Sequence, residues 1–437
     1  MKRLLPATLV AIACAIAPDT SADGLRRPGF LGVQVEGLPA GDRHGPGLAV
    51  RALVDGGSAR QAGVRAGDVI KAIGGRPVST TGEFVAAARR LRGGDVATLE
   101  IVRAGVPVRL EVAVKPRPPE SAPDLDVDYG AVTVDGHLRR TLVTVPRAAG
   151  PSRRPAVLFV TGVGCFSQEI ADPMDNVAQL LYGLTRAGFV TMRVEKSGEG
   201  DSQGPACAGP QADMAAEVRG YVAGLRALKA DPRVDAGNVF LVGLSIGGVE
   251  APLIEREEAV KGVVAINTAA KPFMEYLLET RRRQALLRGL PHDEVDRHLA
   301  RVLRCNHAAL VEREAPQALL ARLPECGEEI RFPAPLAFMQ QWAALNPGEA
   351  WRAVESPVLV VIGASDWVAT VAESPYLVDM INRFRAGRAT LAVIEGMDHG
   401  LSRAPSMQQS FSRAGPGVFE PAVLEATADW LRRQAAG

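Results

Sequence analysis

The stretch Asn238–Gly248, N-V-F-L-V-G-L-S-I-G-G, decides the fold of this chain. Its apolar, strand-forming residues Val239–Val242 predict a buried strand, and a segment compatible with a helix follows the glycines. Between them lies a Gly-x-Ser-x-Gly turn centred on Ser245. A sharp strand-to-helix turn exposes the serine Oγ, and its glycines avoid clashes with the neighbouring strand and helix. The stretch therefore predicts either a nucleophilic serine or a plain glycine-rich turn.

Composition places the chain among globular proteins with more than one domain. It has 437 residues, of which 47% are hydrophobic and 23% are charged, and its formal net charge is +1. A charge this close to zero gives no general attraction to nucleic acid or to acidic membranes. No internal stretch is long and apolar enough to predict a transmembrane segment.

Residues 1–22 have the pattern of a signal peptide. Met1–Arg3 is basic, Leu4–Ala17 is apolar, and Thr20–Ala22 has the small residues of a cleavage site. This pattern predicts export to the periplasm or secretion from a bacterial cell. A lipoprotein attached through Cys14 is one alternative, and an uncleaved anchor is another.

Cysteine usage agrees with export. Removal of the signal peptide leaves four of the five cysteines, which are Cys165, Cys207, Cys305 and Cys326. An even number in an exported protein predicts two disulfides. We favour Cys165–Cys207 and Cys305–Cys326, because each pair falls within one region of the predicted fold; four reduced thiols are the alternative. No Cys-x-x-Cys motif occurs, so we expect no metal site.

A proline-rich, polar segment predicts a linker over residues 116–127 between two domains. The first domain, residues 28–115, has short strand-like segments and one predicted helix, Glu83–Leu91, with Thr80 or Thr81 as its cap.

Two motifs in the first domain are similar to those of PDZ domains. Gly29–Val33 (G-F-L-G-V) matches the carboxylate-binding loop, and Gly57–Ile70 matches the stretch that ends in Gly-Asp-x-Ile. The resemblance, to the bacterial type found in exported proteases, implies that a peptide C-terminus adds as an extra strand. The loop residues implied in binding its carboxylate are Phe30, Leu31, Gly32 and Val33. A spacer without a ligand is the alternative.

The second domain, residues 128–437, alternates predicted strands with predicted helices. This order is typical of a mostly parallel sheet with helices on both faces. An Arg- and Leu-rich helical insertion over residues 268–350 interrupts the alternation.

A nucleophilic serine requires a base and an acid that orients the base. Of the six histidines, His399 alone follows a late core strand, and open α/β sheets carry their chemistry at the C-terminal ends of strands. Asp366 follows the predicted strand Val358–Ile362 and is the favoured acid; Asp398, adjacent to His399, is the alternative.

The oxyanion of a tetrahedral intermediate requires backbone N–H donors. Ile246, directly after Ser245, is one predicted donor. The other is Val163 in the glycine-rich turn Thr161–Cys165, with Gly164 as the alternative.

Residues 130–437 resemble the α/β-hydrolase superfamily. The resemblance covers the order Ser245, Asp366, His399, the turn Gly162–Gly164 and the loop Gly198–Gly204, which is similar to that of dienelactone-hydrolase-like and acyl-peptidase-like members. It implies a cofactor-independent serine hydrolase with an acyl-enzyme intermediate and a lid formed by the helical insertion. The usual histidine before the oxyanion glycine is replaced by Thr161, which bears on the donor geometry.

We therefore expect an exported enzyme that cleaves small carboxylic esters. The first alternative is a serine peptidase that acts on peptides presented by the PDZ-like domain. The second is a non-catalytic scaffold that binds peptides. No nucleic-acid partner is expected.

Overall fold

A computed structural model of the protein describes residues 24–39, 41–42, 45–147, 150 and 152–437. The predicted signal peptide 1–22, with Cys14, lies outside the described residues. The chain divides into two compact units, Met1–Pro119 and Glu120–Gly437. In the described part of the chain, no helix has both the length and the apolar character that a membrane span requires.

In the first unit, the described residues form an antiparallel six-stranded sheet and two helices. Its strands pair in the order β1-β2-β3-β5-β6, and β4 pairs with β3. The strands are β1 (Val33–Gly37), β2 (Leu48–Leu53), β3 (Val69–Ile73), β4 (Arg76–Pro77), β5 (Val96–Arg103) and β6 (Val106–Ala113), and the helices are α1 (Ser58–Gln61) and α2 (Thr81–Ala88).

Helix α2 begins two residues earlier than the sequence predicts, because a capping box fixes its start. The Thr80 hydroxyl accepts the N–H of Glu83 at 3.2 Å, and the Glu83 carboxylate accepts the N–H of Thr80 at 3.0 Å. These two bonds satisfy two of the N–H groups that a helix start leaves unpaired. Phe84 and Ala87 on the inner face of α2 are buried in the core of the unit.

The second unit is built on an eight-stranded sheet, in the order β14-β13-β12-β11-β9-β10-β8-β7. The β7–β8 hairpin is antiparallel, and β8 also pairs antiparallel with β10; the other strands are parallel. The strands are β7 (Leu125–Val134), β8 (His137–Pro146), β9 (Arg154–Val160), β10 (Val190–Val194), β11 (Val234–Leu244), β12 (Gly262–Ile266), β13 (Val358–Gly363) and β14 (Ala389–Ile394).

Helices cover both faces of this sheet, which confirms the predicted fold class. Helices α3 (Asn176–Arg186) and α13 (Ala422–Ala436) share one buried apolar layer with the sheet. The opposite layer contains α4 (Met214–Ala230), α5 (Ile246–Glu257) and α11 (Glu373–Phe384). Strands β9, β12 and β13 and the second half of β11 are buried on both sides, so they are nearly continuous apolar runs.

The helical insertion lies between β12 and β13, as the sequence predicts. It packs on the layer that contains α4 and α5. Its α-helices are α6 (Phe273–Leu287), α7 (His292–Asn306), α8 (Pro316–Arg322), α9 (Leu336–Ala344) and α10 (Pro347–Arg352). A short α12 (Met407–Ser412) follows β14.

Residues 120–127 of the predicted linker 116–127 are part of the folded second unit. Strand β7 begins at Leu125, and the Glu120 side chain is fully buried. Both Glu120 oxygens accept hydrogen bonds from the Arg193 guanidinium at 2.8 Å, and they also accept the Tyr182 hydroxyl and the Ile170 N–H. Composition alone does not reveal this role, because its partners lie far away in sequence.

Removal of the buried Glu120 carboxylate should destabilise the second unit. Glu120→Ala leaves Arg193 buried without its counter-charge, and breaking such a pair costs about 3–5 kcal/mol. Urea unfolding followed by tryptophan fluorescence measures the loss. The nearby Asp124–Arg186 pair is half exposed, so Asp124→Ala should leave the unfolding midpoint almost unchanged and serves as the control. Equal midpoints for the two variants would contradict the assigned role of Glu120.

Candidate active site

Ser245 lies at a strained turn between β11 and α5. Its backbone has φ 56° and ψ −119°, a conformation that residues with side chains rarely adopt. The turn is closely packed: a Cβ on Gly247 would lie 2.1 Å from the Val160 carbonyl oxygen, and one on Gly243 would lie 2.4 Å from the Gly247 carbonyl oxygen. The N–H of Ser245 donates to the Ile266 carbonyl at 2.9 Å. The glycines of the motif are therefore steric requirements of this turn.

The structure brings Ser245, His399 and Asp366 together. Nε2 of His399 is 3.1 Å from Oγ of Ser245, and Nδ1 is 2.8 Å from Oδ2 of Asp366. The Asp366 side chain is fully buried, and its other oxygen accepts the N–H groups of Val368 and Ala369 at 2.7 and 3.0 Å. The His399 side chain is 24% exposed, on the side of the substrate cavity. This geometry suits proton transfer from the serine to the imidazole.

Electrostatics in the cluster act on both titrating groups. Burial raises the pKa of Asp366, and the bonds from His399 and the two N–H groups only partly offset it. Burial lowers the pKa of His399, but the charge and hydrogen bond of Asp366 outweigh it and leave that pKa above its ordinary value. The Asp366 carboxylate therefore favours the protonated form of His399.

Asp398, the alternative acid, faces away from the imidazole and holds its loop. Its carboxylate accepts the N–H groups of Gly400 and Ser402 at 3.0 and 2.9 Å. It also accepts the Ser410 hydroxyl at 2.8 Å and pairs with Arg413. Neighbouring side chains in a loop point in different directions, so Asp366 is the residue that contacts His399.

Asn267 is a buried polar residue at the site that the sequence does not reveal. It follows β12 with φ 50°, and its side-chain amide donates to the carbonyls of Asp398 and His399 at 3.1 Å. Its side-chain oxygen accepts the N–H of Gly363 at 3.0 Å. Asn267 thus joins the end of β13 to the loop that carries the base. An asparagine directly after a buried strand was the available signal.

The two predicted oxyanion donors, Val163 and Ile246, line the same cavity as Ser245. Within the described residues, the N–H groups of Val163 and Ile246 have no hydrogen-bond acceptor. Gly162 lies beside the nucleophile, since a Cβ built on it would be 3.8 Å from Cβ of Ser245. Both N–H groups are therefore free to bind a ligand oxygen near Ser245.

A large cavity opens over Ser245 and His399, with a volume of about 950 Å³. Helices α6 and α9 of the insertion supply Phe273, Tyr276 and Trp342, whose ring centroids are 4.5–6.4 Å apart. Aromatic residues are 5% of the chain, yet six of them line this cavity. Phe273 and Trp342 also belong to the buried core, so these faces serve both packing and the cavity.

The four cysteines that the structure describes form two disulfides, in the favoured pairing. Cys165–Cys207 joins the turn that carries Val163 to the segment after β10, and Cys305–Cys326 joins α7 to the short 3-10 helix that follows α8. Glu199 lies within 4.8 Å of the Cys165 and Cys207 sulfurs. Because both sulfurs are bonded to each other, this group has no thiolate for a metal ion.

In the first unit, β1 is an edge strand of the sheet. The predicted loop before it has Gly32 at φ 68°, and a Cβ there would meet the Gly57 backbone at 2.6 Å. The N–H of Phe30 already donates to the Lys115 carbonyl at 2.8 Å, so Phe30 does not contribute a free N–H to the loop. Of the other predicted residues, Leu31 and Gly32 lie in the loop, and Val33 is the first residue of β1.

Strain at Ser245 predicts a stability difference between two variants. Ser245→Gly should stabilise the protein by about 1 kcal/mol relative to Ser245→Ala, because glycine adopts positive φ without steric cost. Both variants lack the hydroxyl, so the comparison isolates the backbone. Thermal unfolding of the two proteins measures it, and a more stable Ser245→Ala variant would contradict the strained turn.

Comparisons with known proteins match the chain to two families. The family described as "Serine aminopeptidase, S33" matches residues 154–405, more than half of the chain, and the PDZ domain family matches residues 29–114. The curated esterase EstD of Thermotoga maritima is 22% identical over 315 residues, which cover 72% of this chain and 68% of that protein. A probable periplasmic serine endoprotease, DegP-like, of Pseudomonas putida is 28% identical over 131 residues, 29% of this chain and 26% of that protein.

Solved structures with a similar fold include esterases and a peptidase. Est1E of Butyrivibrio proteoclasticus, with bound ferulic acid, has a TM-score of 0.45 at 14% identity and covers 70% of this chain and 99% of that chain. The acylaminoacyl peptidase of Pyrococcus horikoshii has a TM-score of 0.45 at 11% identity, and the match covers 84% of this chain and 48% of that chain. The chain belongs to the serine aminopeptidase S33 family of α/β hydrolases, and it carries an N-terminal PDZ domain.

Proposed function

We propose that this protein hydrolyses carboxylic esters through a Ser245–His399–Asp366 triad. The observation that carries the proposal is the continuous hydrogen-bonded series from Ser245 Oγ through the imidazole to a buried carboxylate, at the wall of a large cavity. A serine with this base and this orienting acid is an activated nucleophile.

The reaction follows from these positions. Oγ of Ser245 attacks the acyl carbonyl carbon, and its proton passes to Nε2 of His399 while Asp366 holds the imidazolium. The N–H groups of Val163 and Ile246 bind the oxygen that becomes negative. The tetrahedral intermediate collapses, the alcohol leaves with the proton from His399, and Ser245 retains the acyl group. Water, activated by His399, then attacks the acyl-enzyme and releases the acid.

The cavity favours esters with a bulky apolar or aromatic group. Its volume of about 950 Å³ exceeds what an acetyl group fills. The rings of Phe273, Tyr276 and Trp342 provide flat apolar surfaces on which an aromatic group packs with offset or edge-to-face geometry. The substrate class proposed is therefore arylalkyl or medium-chain acyl esters.

A peptidase activity is the second candidate, and acidic residues at one end of the cavity favour it. Glu169, Asp172 and Asp175 line that end, where carboxylates suit a substrate ammonium group. All three have structural partners: Glu169 accepts the Tyr129 hydroxyl, Asp172 accepts the N–H of Met174, and Asp175 caps α3. Because these carboxylates already support the fold, ester hydrolysis remains the first proposal.

We also propose that the protein is exported and that its PDZ domain binds a peptide C-terminus. Two disulfides support an oxidising compartment, the periplasm or the exterior. The edge strand β1, with the adjacent N–H groups of Leu31 and Gly32, supports addition of a peptide C-terminus as a further strand.

Ser245→Ala should abolish turnover of p-nitrophenyl esters and labelling by a fluorophosphonate probe, since both require the Oγ nucleophile. Wild type should hydrolyse the 3-phenylpropionate ester with a kcat/KM at least about tenfold above the acetate ester, because the aromatic walls bind the larger group. Ser412→Ala, on the exposed face of α12, is the matched serine control. Retained labelling in Ser245→Ala would overturn the assignment. Aminoacyl p-nitroanilide cleavage that exceeds ester cleavage would favour the peptidase.

Asp366→Asn should lower kcat by about 10⁴ at pH 8, because the neutral amide no longer fixes the reactive imidazole tautomer. His399 must be neutral to act as a base, and Asp366 raises its pKa. The activity of wild type should therefore fall as the pH falls through a value above 6.5, the ordinary pKa of histidine.

In Asp366→Asn, this acid limb should move to lower pH, which kcat/KM measured from pH 5 to 9 will show. Asp398→Asn should move it much less, since that carboxylate does not bond the imidazole. A larger displacement in Asp398→Asn would assign the orienting role to Asp398.

A further inference from the structure

Lys196 is a buried lysine that contacts the peptide bond between Gly162 and Val163. Nζ of Lys196 donates to the Gly162 carbonyl at 3.1 Å. That carbonyl belongs to the peptide bond between Gly162 and Val163, whose N–H is a proposed oxyanion donor. Carbonyl and N–H point in opposite directions across a planar peptide, so Lys196 binds one end while the oxyanion would bind the other.

Lys196 lies outside the substrate cavity. Its side chain is only 4% exposed, and it lines a separate cavity of about 170 Å³ on the other side of the turn Val163–Cys165. The wall of the large cavity includes Gly162 and Val163 but not Lys196. Any influence of Lys196 on a substrate must therefore pass through the Gly162–Val163 peptide.

We infer that Lys196 is a positioning residue, which holds and polarises the Gly162–Val163 peptide so that the Val163 N–H stabilises the oxyanion. This inference rests on the proposed function, because it assigns a role within the same reaction. A charged donor on a carbonyl withdraws electron density from the peptide and strengthens the hydrogen bond of its N–H, as in any cooperative hydrogen-bonded series. It also fixes the orientation of a turn that glycines leave flexible.

The charges around Lys196 are arranged so that it remains bound to the peptide. Glu217 on α4 pairs with Nζ at 2.6 Å, with 12% of its side chain exposed. Glu250 on α5 is fully buried, and in the described part of the chain neither of its oxygens has a hydrogen-bond partner. Burial, together with the charge of Glu217, raises the pKa of Glu250 well above its usual range. Glu217 is thus the carboxylate that pairs with Lys196.

The test is Lys196→Met, which keeps nearly the length of the side chain and removes its charge and its hydrogen-bond donor. With the preferred p-nitrophenyl ester, kcat should fall by about ten- to a hundredfold, a part of the 10²–10³-fold that loss of a whole oxyanion donor costs. KM should stay within about twofold. Phenylboronic acid, which forms a tetrahedral adduct on Ser245, should bind more weakly by the same factor as kcat/KM falls.

Lys229→Met is the matched control, because Lys229 also bonds a carboxylate and a main-chain carbonyl, those of Glu258 and Ala259, away from the site. It should change kcat and boronate binding by less than about twofold. Lys196→Met leaves the Glu217 carboxylate without its ion pair, which could destabilise the protein and so lower kcat indirectly. The double variant K196M/E217Q removes this charge and separates the effect on stability from the effect on catalysis. That variant should regain thermal stability and keep the low kcat.

The outcomes separate this inference from the proposed function. An inactive wild type that no fluorophosphonate labels would overturn both. If wild type is active and the Lys196→Met variant has the same kcat, the inference alone is overturned. Recovery of kcat together with stability in the double variant would also overturn it, because Lys196 would then serve only the fold.

Discussion

The left-handed backbone of Ser245 is the constraint on which the second unit depends. Such a conformation costs about 1–3 kcal/mol and persists only where the surroundings enforce it. Here Gly247 packs against the carbonyl of Val160 at the end of β9, and the N–H of Ser245 bonds Ile266 at the end of β12. Three parallel strands thus end at the serine. Because parallel strands present their C-terminal ends at one edge, the loops after β13 and β14 reach the same point.

Buried polar side chains hold those loops in place. Asn267 bonds three backbone groups across β13 and the loop of His399, and Asp398 satisfies two N–H groups of that loop. Asn267 and Asp398 thus provide hydrogen-bond partners for buried backbone groups. A buried backbone group without a partner would reduce the stability of the fold by about 1–3 kcal/mol. Polar residues next to the site therefore stabilise the geometry of His399 without taking part in proton transfer.

The helical insertion is coupled to the acid as well as to the cavity. Helix α6 supplies aromatic cavity walls, and on the same helix Thr280 and Arg283 donate to the Val368 carbonyl at 3.1 and 2.8 Å. Arg283 also donates to the carbonyl of Trp367 at 2.9 Å. The loop that carries Asp366 is therefore held by the element that shapes the cavity. On the opposite side, Lys196 reaches the oxyanion turn from behind.

By itself the sequence determined the features that depend on near neighbours. These are the alternation of strands and helices, the glycine-dependent turn at Ser245, and the positions of Asp366 and His399 directly after predicted strands. Steric limits and side-chain periodicity act between near neighbours, so the printed residues express them. Only the tertiary structure decided that Asp366 rather than Asp398 bonds His399, that Glu120 belongs to the core, and that Lys196 contacts Gly162. These contacts join residues 33, 73 and 34 positions apart, and burial gives each its strength. No local sequence pattern encodes which polar groups, distant in sequence, come into contact when the chain folds.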